Sequence, residues 1–579
     1  MRDLTSLLTM SINNSQISLD LPTEPTPEPE GLLSAPIQVV DLFAGPGGLG
    51  EGFTSFGNGR RFEIVVSAEK DPKAWQTLRL RAFYRLLKAN KPSHLHEYYD
   101  YCNDPSAPDV FLPSFETAGL WDKAGREAKC ITLGSELGNA TLDKALDEGL
   151  NASRPWVLIG GPPCQAYSIV GRARNQSKID YRAEDDHRHF LYKEYLRIIR
   201  ERQPTIFVME NVKGILSSKI NNERIFSNIL KDLSDPGHAL SQENGQGKKY
   251  RIYSLVTGAS FGPGEDVSEV DPRAFVIKSE NYGIPQARHR VILLGIATDS
   301  LPLSTESVRL STAHSLVTVG QVLEDLPRLR SGLTKSPDSR EAWKNVILDQ
   351  LDFLQKGVNP LDYRLWGALQ DLSKEFGGAD VPLDFGGRRV NRKESRRDGI
   401  TGHKELDGWY LDNRLRYWLN HECRGHMPTD LRRYLFASVS AKLNGSSPKG
   451  HKEFSLEGLA PEHKNWKSGK FIDRFRVQMF DKFATTITSH ISKDGHYFIH
   501  YDPTQCRSLS VREAARIQTF PDNYFFQGSR TDQFHQVGNA VPPLLAAKIS
   551  KVVFGVLFDK VQEFDEGLKG EARNLKTCV

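Results

Sequence analysis

The sequence has few cysteines, little net charge and no long apolar run, and each shortage excludes a class of protein. Its six cysteines never occur in CxxC spacing, which argues against a zinc ribbon or a disulfide framework and favours a reducing compartment. No run of eighteen apolar residues and no secretory signal is found, so we expect a cytoplasmic protein without a membrane span. The formal net charge of +4 is too small to indicate a polyanionic partner by itself.

The positive charge that is present is concentrated in one polar segment, residues 386–405. This segment contains seven Lys or Arg and three Asp or Glu, so its excess equals that of the whole chain. Two interpretations stay open at this point. The segment is either a solvated loop or a surface that follows the phosphates of a nucleic acid.

Short apolar runs separated by helix-like stretches predict an α/β fold. Several of the runs are rich in Val and Ile without polar alternation, which is typical of strands buried on both faces. They cover residues 37–43, 63–69, 156–161, 205–211, 274–279 and 290–297. Helical periodicity appears at residues 72–90 and 190–203, between some of these runs. The alternation predicts a doubly wound, mostly parallel sheet.

The alternation stops after Ile296, and this predicts more than one structural unit. Residues 1–36 are rich in Pro and Glu and poor in aromatics, so we expect them to be disordered. Residues 37–297, completed by residues 530–560, form the predicted α/β domain. Residues 298–529 form a predicted second, irregular domain and hinge.

A glycine-rich loop follows the first predicted strand. Gly45, Gly47 and Gly50 have G-x-G-x-x-G spacing between a strand and a predicted helix, where backbone amides favour an anionic group. Glu69 ends the second strand, where a carboxylate can accept hydrogen bonds from ribose hydroxyls. The pattern predicts a nucleoside-containing cofactor. NAD and S-adenosylmethionine both fit, so the loop does not separate hydride transfer from methyl transfer.

Two further polar groups follow apolar strands, and a pair of arginines stands at the start of another. Cys164 follows a Gly-Gly-Pro-Pro turn, which holds the thiol stiffly and favours a nucleophile over a packing role. Glu210 and Asn211 end the next strand, where a buried glutamate faces a ligand or pairs with a cation. Arg288 and Arg290 alternate on a later strand and can share a face that stabilises charge on an oxygen. Ligands bind at this carboxyl edge of open sheets, so we expect one crevice there.

Six motifs in a fixed order carry a resemblance to a known family. They are DLFAGPGGLGEGF, GGPPCQAYS, ENVKGI, QARHR, RSLSVREAARIQTFPD and QVGNAVPP. The set resembles the DNA (cytosine-5)-methyltransferases of the bacterial restriction-modification type. The resemblance implies a Rossmann-like, S-adenosylmethionine-dependent methyltransferase fold for the α/β domain. It also implies a target-recognition domain within residues 298–529, and double-stranded DNA as the substrate.

The resemblance also implies a role for each matched residue. It assigns Cys164 to covalent addition at C6 of a flipped-out cytosine, Glu210 to N3, and Arg290 to O2 with Arg288 in support. The residues implied to bind S-adenosylmethionine are Phe43, Ala44, Gly45, Gly47, Gly48, Gly50, Glu69, Pro162, Asn539 and Val541. Those implied to contact the substrate are Gln165, Ser168, Asn211, Val212 and Gln286. A monomer, functional pairing with a restriction endonuclease, and no metal or membrane are expected.

Some features depart from the family pattern and leave alternatives open. The span from Glu69 to Cys164 is 95 residues, long for the family, and residues 133–139 are only a weak candidate for the adenine contact. A transfer-RNA cytosine-5 methyltransferase has the same chemistry and is one alternative. An NAD-dependent oxidoreductase is another, although it leaves the thiol and Glu210 unexplained. A metal site at HECRGH (421–426) lacks a fourth ligand at zinc spacing.

Overall fold

The structure is a computed structural model that describes most of the chain. The described residues are 35–163, 191–220, 223–240, 247–300, 305–359, 361–378, 381–382, 384–392, 404–462, 466, 474–558 and 561. Several sequence predictions fall outside these ranges. They concern Cys164, Gln165, Ser168, nearly all of the segment 1–36, and residues 393–403 of the basic segment.

One nine-stranded sheet forms the centre of the fold. Its strands are β1 (Ile37–Leu42), β2 (Phe62–Glu69), β3 (Ala128–Cys130), β4 (Trp156–Gly160), β5 (Ile206–Val212), β6 (Tyr250–Ser254), β7 (Ser260–Phe261), β8 (Val276–Lys278) and β9 (His289–Ala297). Their order is β3-β2-β1-β4-β5-β9-β6-β7, with β8 paired to β9. All six predicted strands are confirmed. The strands β1 to β5 are parallel, whereas β9 runs antiparallel to β5, a reversal that the sequence did not indicate.

Helices cover both faces of this sheet and recur through the described part of the chain. Those up to residue 323 are α1 (Gly48–Gly59), α2 (Pro72–Asn90), α3 (His96–Asn103), α4 (Ala118–Glu127), α5 (Glu136–Gly149), α6 (Leu191–Arg202), α7 (Ile225–Ser234), α8 (Pro236–Leu240) and α9 (Val319–Leu323). Those that follow are α10 (Arg340–Gly357), α11 (Tyr363–Gly377), α12 (Lys404–Tyr410), α13 (Pro428–Asn444), α14 (Gly450–Glu453), α15 (Val511–Ile517), α16 (Arg530–Asn539) and α17 (543–558). The helices predicted at 72–90 and 190–203 are α2 and α6.

Alternate residues of the central strands divide the core into two layers. Val39, Val157 and Ile206 pack against α1, α15 and α17 on one face. Val40, Leu158 and Phe207 pack against α5, α6 and α7 on the other face. Both faces are buried, which explains why the runs read as continuous apolar stretches.

A separate hydrophobic core lies within the predicted second domain. It joins α10, α11 and α13, with Trp343, Leu369 and Leu435 among its buried members. Between α11 and α13 in the sequence, the strands β10 (Gly386–Asn391) and β11 (Tyr417–Glu422) pair antiparallel, and we call this pair the hairpin. The boundary of this domain at residue 298 stays a prediction.

One stretch near the end of the described chain has the length and composition of a membrane span. In the part of the chain that the structure describes, Arg530–Phe558 alone meets this criterion, and 61% of its apolar window is buried inside the protein. The stretch contains α16 and α17. Val553, Phe554 and Leu557 on α17 belong to the core beneath the sheet, which is typical of a core helix.

A buried ion-pair network ties α15 to the rest of the chain. Arg516 is fully buried, and it pairs with Asp325 and with Asp522, at 2.8 Å from Nη2 to Oδ2 for the latter. Replacing Arg516 by methionine removes a cation that two buried carboxylates share. Because breaking a buried pair costs about 3–5 kcal/mol, we expect that loss in the free energy of unfolding, measured by denaturant titration.

The matched control for this variant is Arg364→Met on the exposed face of α11. We expect it to stay within about 0.5 kcal/mol of the parent protein. A loss below about 1 kcal/mol for Arg516→Met would show that the two aspartates find other partners.

Candidate active site

The polar groups that end the central strands lie along one edge of the sheet. Leu42 of β1 stands opposite Ala68 of β2 and Gly160 of β4, and Gly160 stands opposite Met209 of β5. Because β9 runs antiparallel to β5, its start reaches the same edge, and Arg290 stands opposite Val212. Residues from five strands therefore border one crevice, as the carboxyl edge of an open sheet predicts.

The glycine-rich loop, residues 43–50, connects β1 to α1 at this edge. Phe43 and Gly45 have left-handed φ angles of 58° and 59°, and Gly47 has 96° at the N-cap of α1. A left-handed aromatic residue is strained, and such strain clusters at ligand-binding sites. A Cβ built on Gly45 meets no atom within 4 Å, so the loop has an open wall there.

Glu69 fixes this loop to the end of β2. Its Oε2 accepts a hydrogen bond of 2.9 Å from the Gly45 amide, and its Oε1 accepts one of 2.8 Å from the Asp71 amide. The Ala44 amide donates to the Ala68 carbonyl over 3.1 Å. The carboxylate that the sequence predicts for ribose binding therefore lies directly beside the glycine loop, with further oxygen lone pairs for a ligand.

The glycines on α1 allow residue 541 and the helix α17 to approach the loop closely. A Cβ on Gly48 would lie 2.1 Å from the Val541 carbonyl oxygen, and one on Gly52 would lie 2.3 Å from Ala546 Cβ. Tyr524 also donates a short hydrogen bond from its hydroxyl to the Pro46 carbonyl. The GNAVPP motif therefore packs on the loop, with Val541 buried and the Asn539 side chain exposed.

Replacing Gly48 by alanine tests this close approach. The new methyl group overlaps a backbone oxygen, so α1 or residue 541 must shift, and overpacking of this kind costs about 1–3 kcal/mol. We expect a lower melting temperature and weaker binding of a nucleoside ligand, measured by calorimetry. The control is Gly367→Ala on α11, where a Cβ meets nothing within 4 Å and no loss is expected. Unchanged melting of Gly48→Ala would contradict the packing.

Glu210 and Arg290 form an ion pair at this edge of the sheet. Arg290 Nε lies 2.8 Å from Glu210 Oε1, and both side chains are largely buried. Burial lowers the pKa of the Arg290 guanidinium, and Glu210 opposes this effect. A Cβ on Gly161 would lie 3.2 Å from Glu210 Oε2, so the glycine leaves room for this carboxylate. The cation that the sequence left unnamed as the partner of Glu210 is Arg290.

The turn before residue 164 is held against the end of β5. The Asn211 amide nitrogen donates to the Pro162 carbonyl over 3.3 Å, and its oxygen accepts from the Val212 amide over 2.9 Å. Pro162 is buried. Cys164 comes two residues after Pro162 and lies outside the described residues, as do Gln165 and Ser168. In the described structure Asn211 links the Pro-Pro turn to the strand that carries Glu210.

Arg288 and Gln286, both expected at the site, form hydrogen bonds with segments near the end of the described chain. The Arg288 guanidinium is buried and donates to the carbonyls of Ile487 (2.6 Å) and Gly538 (3.2 Å). Gln286 donates to the Ile517 carbonyl and accepts from the Ile487 amide, each over 3.0 Å. Both side chains therefore fasten C-terminal segments to the strand that leads to Arg290. The contacts favour positioning over direct contact with a substrate.

Asp41 is a candidate residue that the sequence analysis did not select. It is fully buried at the end of β1, under the glycine loop, and a Cβ on Gly50 would lie 3.0 Å from its Oδ2. Burial raises the pKa of Asp41 to about 8, and the nearby Glu69 carboxylate adds to the effect. A perturbed acid beside a cleft is typical of functional sites. The signal in the sequence was an aspartate within the apolar run VVDLF.

Two weaker candidates are also located by the structure. Residues 133–139 follow β3, and the Ile131 amide donates to the Glu69 carbonyl over 2.9 Å, so this segment begins at the same edge of the sheet. At HECRGH, the His421 nitrogens contact Ser510 Oγ and the Pro327 carbonyl. Within the described ranges, no group of three or more His, Cys, Asp or Glu is arranged to hold a metal ion.

Comparisons with known proteins agree with this geometry. A family model described as C-5 cytosine-specific DNA methylase matches residues 37–89 and 142–555. A type II methyltransferase of Bacillus paralicheniformis is 33% identical, over 90% of this chain and 99% of the relative. A type II methyltransferase of Thalassovita gelatinovora is 26% identical, over 89% and 99%. A DNA (cytosine-5-)-methyltransferase of Aeropyrum pernix is 27% identical, over 90% and 98%.

Proposed function

We propose the methyl donor, the DNA target and the biological setting of this enzyme from its family. The chain belongs to the C-5 cytosine-specific DNA methylases, which methylate DNA at cytosine C5. The donor is S-adenosylmethionine, and the target is one cytosine in a specific double-stranded sequence. The setting is a restriction-modification system, in which the enzyme protects DNA from a partner endonuclease. The enzyme acts as a monomer. The observation that carries the proposal is the Glu210–Arg290 pair beside the Pro-Pro turn.

The residues around the glycine loop fit S-adenosylmethionine. The open wall at Gly45 and the adjacent Glu69 carboxylate offer backbone amides and an acceptor for a nucleoside. The residues that would bind S-adenosylmethionine are Phe43, Ala44, Gly45, Gly47, Gly48, Gly50, Glu69, Pro162, Asn539 and Val541. When bound, the group supplies an electrophilic methyl to cytosine C5. The loop and Glu69 would hold it at the edge of the sheet that also carries Glu210.

Three protein groups then act on the target cytosine. The Cys164 thiolate forms a bond from Sγ to C6, and the ring's electron pair moves toward C5 and N3. Glu210 gives a proton at N3, and Arg290 donates a hydrogen bond to O2, so the ring can accept the charge. After C5 is methylated, a proton acceptor removes the proton from C5. The electrons of that C–H bond restore the double bond between C5 and C6 and expel the thiolate, and N3 returns its proton to the Glu210 carboxylate.

The target base must leave the duplex to reach this crevice, because C5 and C6 lie within the base stack. Unstacking and unpairing cost a few kcal/mol, which contacts along the DNA must offset. We assign the sequence readout to residues 298–474, through contacts to base edges in a groove. Asn211, Val212 and the positioning residues Arg288 and Gln286 keep the pocket's walls fixed while the base enters.

A methylation assay with the parent enzyme tests this proposal. The enzyme is incubated with methyl-labelled S-adenosylmethionine and either unmethylated duplex DNA or transfer RNA. Products are read by base-resolution sequencing. We expect 5-methylcytosine at one recurring DNA sequence, and DNA so treated resists an endonuclease that cuts there. Label in transfer RNA alone would favour the RNA enzyme, and scattered 5-methylcytosine would contradict sequence-specific recognition.

A further inference from the structure

Residues 90–141 form an insertion that the family model leaves unmatched. This insertion contacts the α/β domain and the predicted second domain. It contains α3, α4 and β3. Its buried aromatic side chains share one hydrophobic cluster with α2 of the α/β domain and with Leu415, Leu419 and Phe525. Leu419 belongs to β11, and Phe525 lies before α16. Side chains buried together in this way resist relative movement of the segments that carry them.

Arg389 of β10 contacts the end of helix α3 in this insertion. Its Nη2 donates to the Tyr101 carbonyl over 2.7 Å, and its Nε donates to the Cys102 carbonyl over 3.1 Å. These carbonyls belong to the last turn of α3, whose acceptors have no partner within the helix. A guanidinium is favoured there because the helix dipole is negative at that end. Arg389 therefore joins the hairpin to the insertion.

Arg388, the neighbouring residue, joins three segments at once. Its guanidinium pairs with the Asp109 carboxylate of the insertion and donates to the Tyr101 hydroxyl over 3.1 Å. It also donates to Gln527 Oε1 over 3.0 Å, and it lies 4.9 Å from the centre of the Phe525 ring. A charged group with several hydrogen bonds and a stacked ring is held in a single orientation.

The segment that leads into β11 is tied to α3 by hydrogen bonds from the Asn103 side chain. Its Nδ2 donates to the Arg414 carbonyl over 2.9 Å, and its Oδ1 accepts from the Arg416 backbone amide over 2.7 Å. The Tyr99 hydroxyl donates to the Asp412 carboxylate, and Arg414 lies 4.3 Å from the Tyr99 ring centre. Both strands of the hairpin are therefore fastened to the same short helix.

We propose that the insertion is a brace that fixes the β10–β11 hairpin on the α/β domain. In this proposal Arg388 and Arg389 are positioning residues that set where the DNA-reading region stands relative to the crevice. The inference rests on the proposed function, because the hairpin belongs to the proposed recognition region. It also separates these two arginines from the phosphate-binding interpretation of segment 386–405, since Arg388 Nη1 and Nη2 and Arg389 Nε and Nη2 bind groups of the protein itself.

The test is the double variant Arg388→Met/Arg389→Met of the full chain, assayed on a duplex that carries the recognised sequence. Methionine keeps the apolar length against Phe525 and removes the charged donors. We expect kcat to stay within about 3-fold, while KM for DNA rises and the preference over a duplex with one changed base pair falls about 10-fold. The salt dependence of DNA binding should keep the parent slope.

That slope separates a brace from a DNA contact. An arginine that neutralises a phosphate contributes about 0.9 to the slope of log K against log salt concentration. A slope lowered by that amount for each removed arginine would overturn the proposal. An unchanged sequence preference together with an unchanged KM for DNA would overturn it as well. Arg251→Met is the matched control, because Arg251 lies on β6, outside residues 298–474, and its guanidinium pairs with Glu265 and donates to Ser260 Oγ. We expect parent behaviour from it.

A second pair of variants keeps the test decisive if the double variant folds poorly. Asp109 is 89% exposed in its side chain, so Arg388→Asp should lose discrimination and Asp109→Arg added to it should restore it. Failure of that rescue overturns the brace. A parent enzyme that leaves DNA unmethylated defeats the proposed function, whereas an active parent whose variants discriminate equally well defeats the brace alone.

Discussion

Replacing Cys164 by alanine abolishes methylation of DNA while cofactor and DNA binding stay within a few-fold of the parent. In the proposed mechanism the thiolate is the group that bonds to C6, and no other group can make C5 electron-rich. Loss of a nucleophile removes the covalent route entirely, so we expect a fall of at least about 1,000-fold, the floor of a label-transfer assay. Methyl transfer is measured with labelled S-adenosylmethionine.

A covalent trap identifies this residue more directly than activity does. In a duplex with 5-fluorocytosine at the target, the methylated intermediate has no C5 proton for a base to remove, so the thioether persists. We expect a DNA–protein adduct on a denaturing gel for the parent and for Cys578→Ala, whose cysteine is the second residue from the end of the sequence. Cys164→Ala should form none. An adduct in that variant would assign the nucleophile elsewhere.

Replacing Glu210 by glutamine lowers kcat by about 100- to 10,000-fold, the range that a positioned acid supplies. Glutamine keeps the volume of the side chain, and its amide oxygen can still accept a hydrogen bond from Arg290 Nε. Glutamine has no acidic proton to give to N3, so the negative charge that develops on the ring is not neutralised there. The rate of adduct formation with the fluorinated duplex should fall by the same factor, since addition to C6 is the step affected.

The control for this variant is Glu280→Gln. Glu280 is also a buried glutamate paired to a residue of β9, with Oε1 at 2.8 Å from His289 Nε2, but it makes no described contact with Arg290. We expect its kcat within about 3-fold of the parent. A Glu210→Gln enzyme that retains a tenth of parent activity or more would contradict the role of Glu210 as the acid.

The strands and their polar ends could be predicted because the signals are local. Each run is apolar on both faces, and Glu69 and Glu210 each stand where such a run ends. The reversal of β9 could not be predicted in this way, since its apolar residues read the same in either direction. It matters for the site because only the antiparallel direction brings Arg290, at the start of β9, to the edge where Glu210 ends β5.

The functions of single arginines were harder to predict, because a guanidinium takes its role from partners far along the chain. Arg388 was part of a cluster that suggested phosphate contacts, yet its partner Asp109 lies 279 residues away in sequence. Arg288 shares strand spacing with Arg290, yet its donors reach Ile487 and Gly538. Composition and spacing identify a charge but not the carbonyl or carboxylate that tertiary packing brings to it.

The packing of Val541 on Gly48 has a consequence for the order of events during synthesis. The glycine loop is among the first described parts of the chain, and the segment that covers it is added about 490 residues later. At about 5–20 residues per second, the nascent chain spends tens of seconds with an incomplete cofactor loop. A polypeptide still attached to the ribosome, or one released early by a stop codon, therefore has no finished methyl-donor site and leaves the DNA around it unmodified.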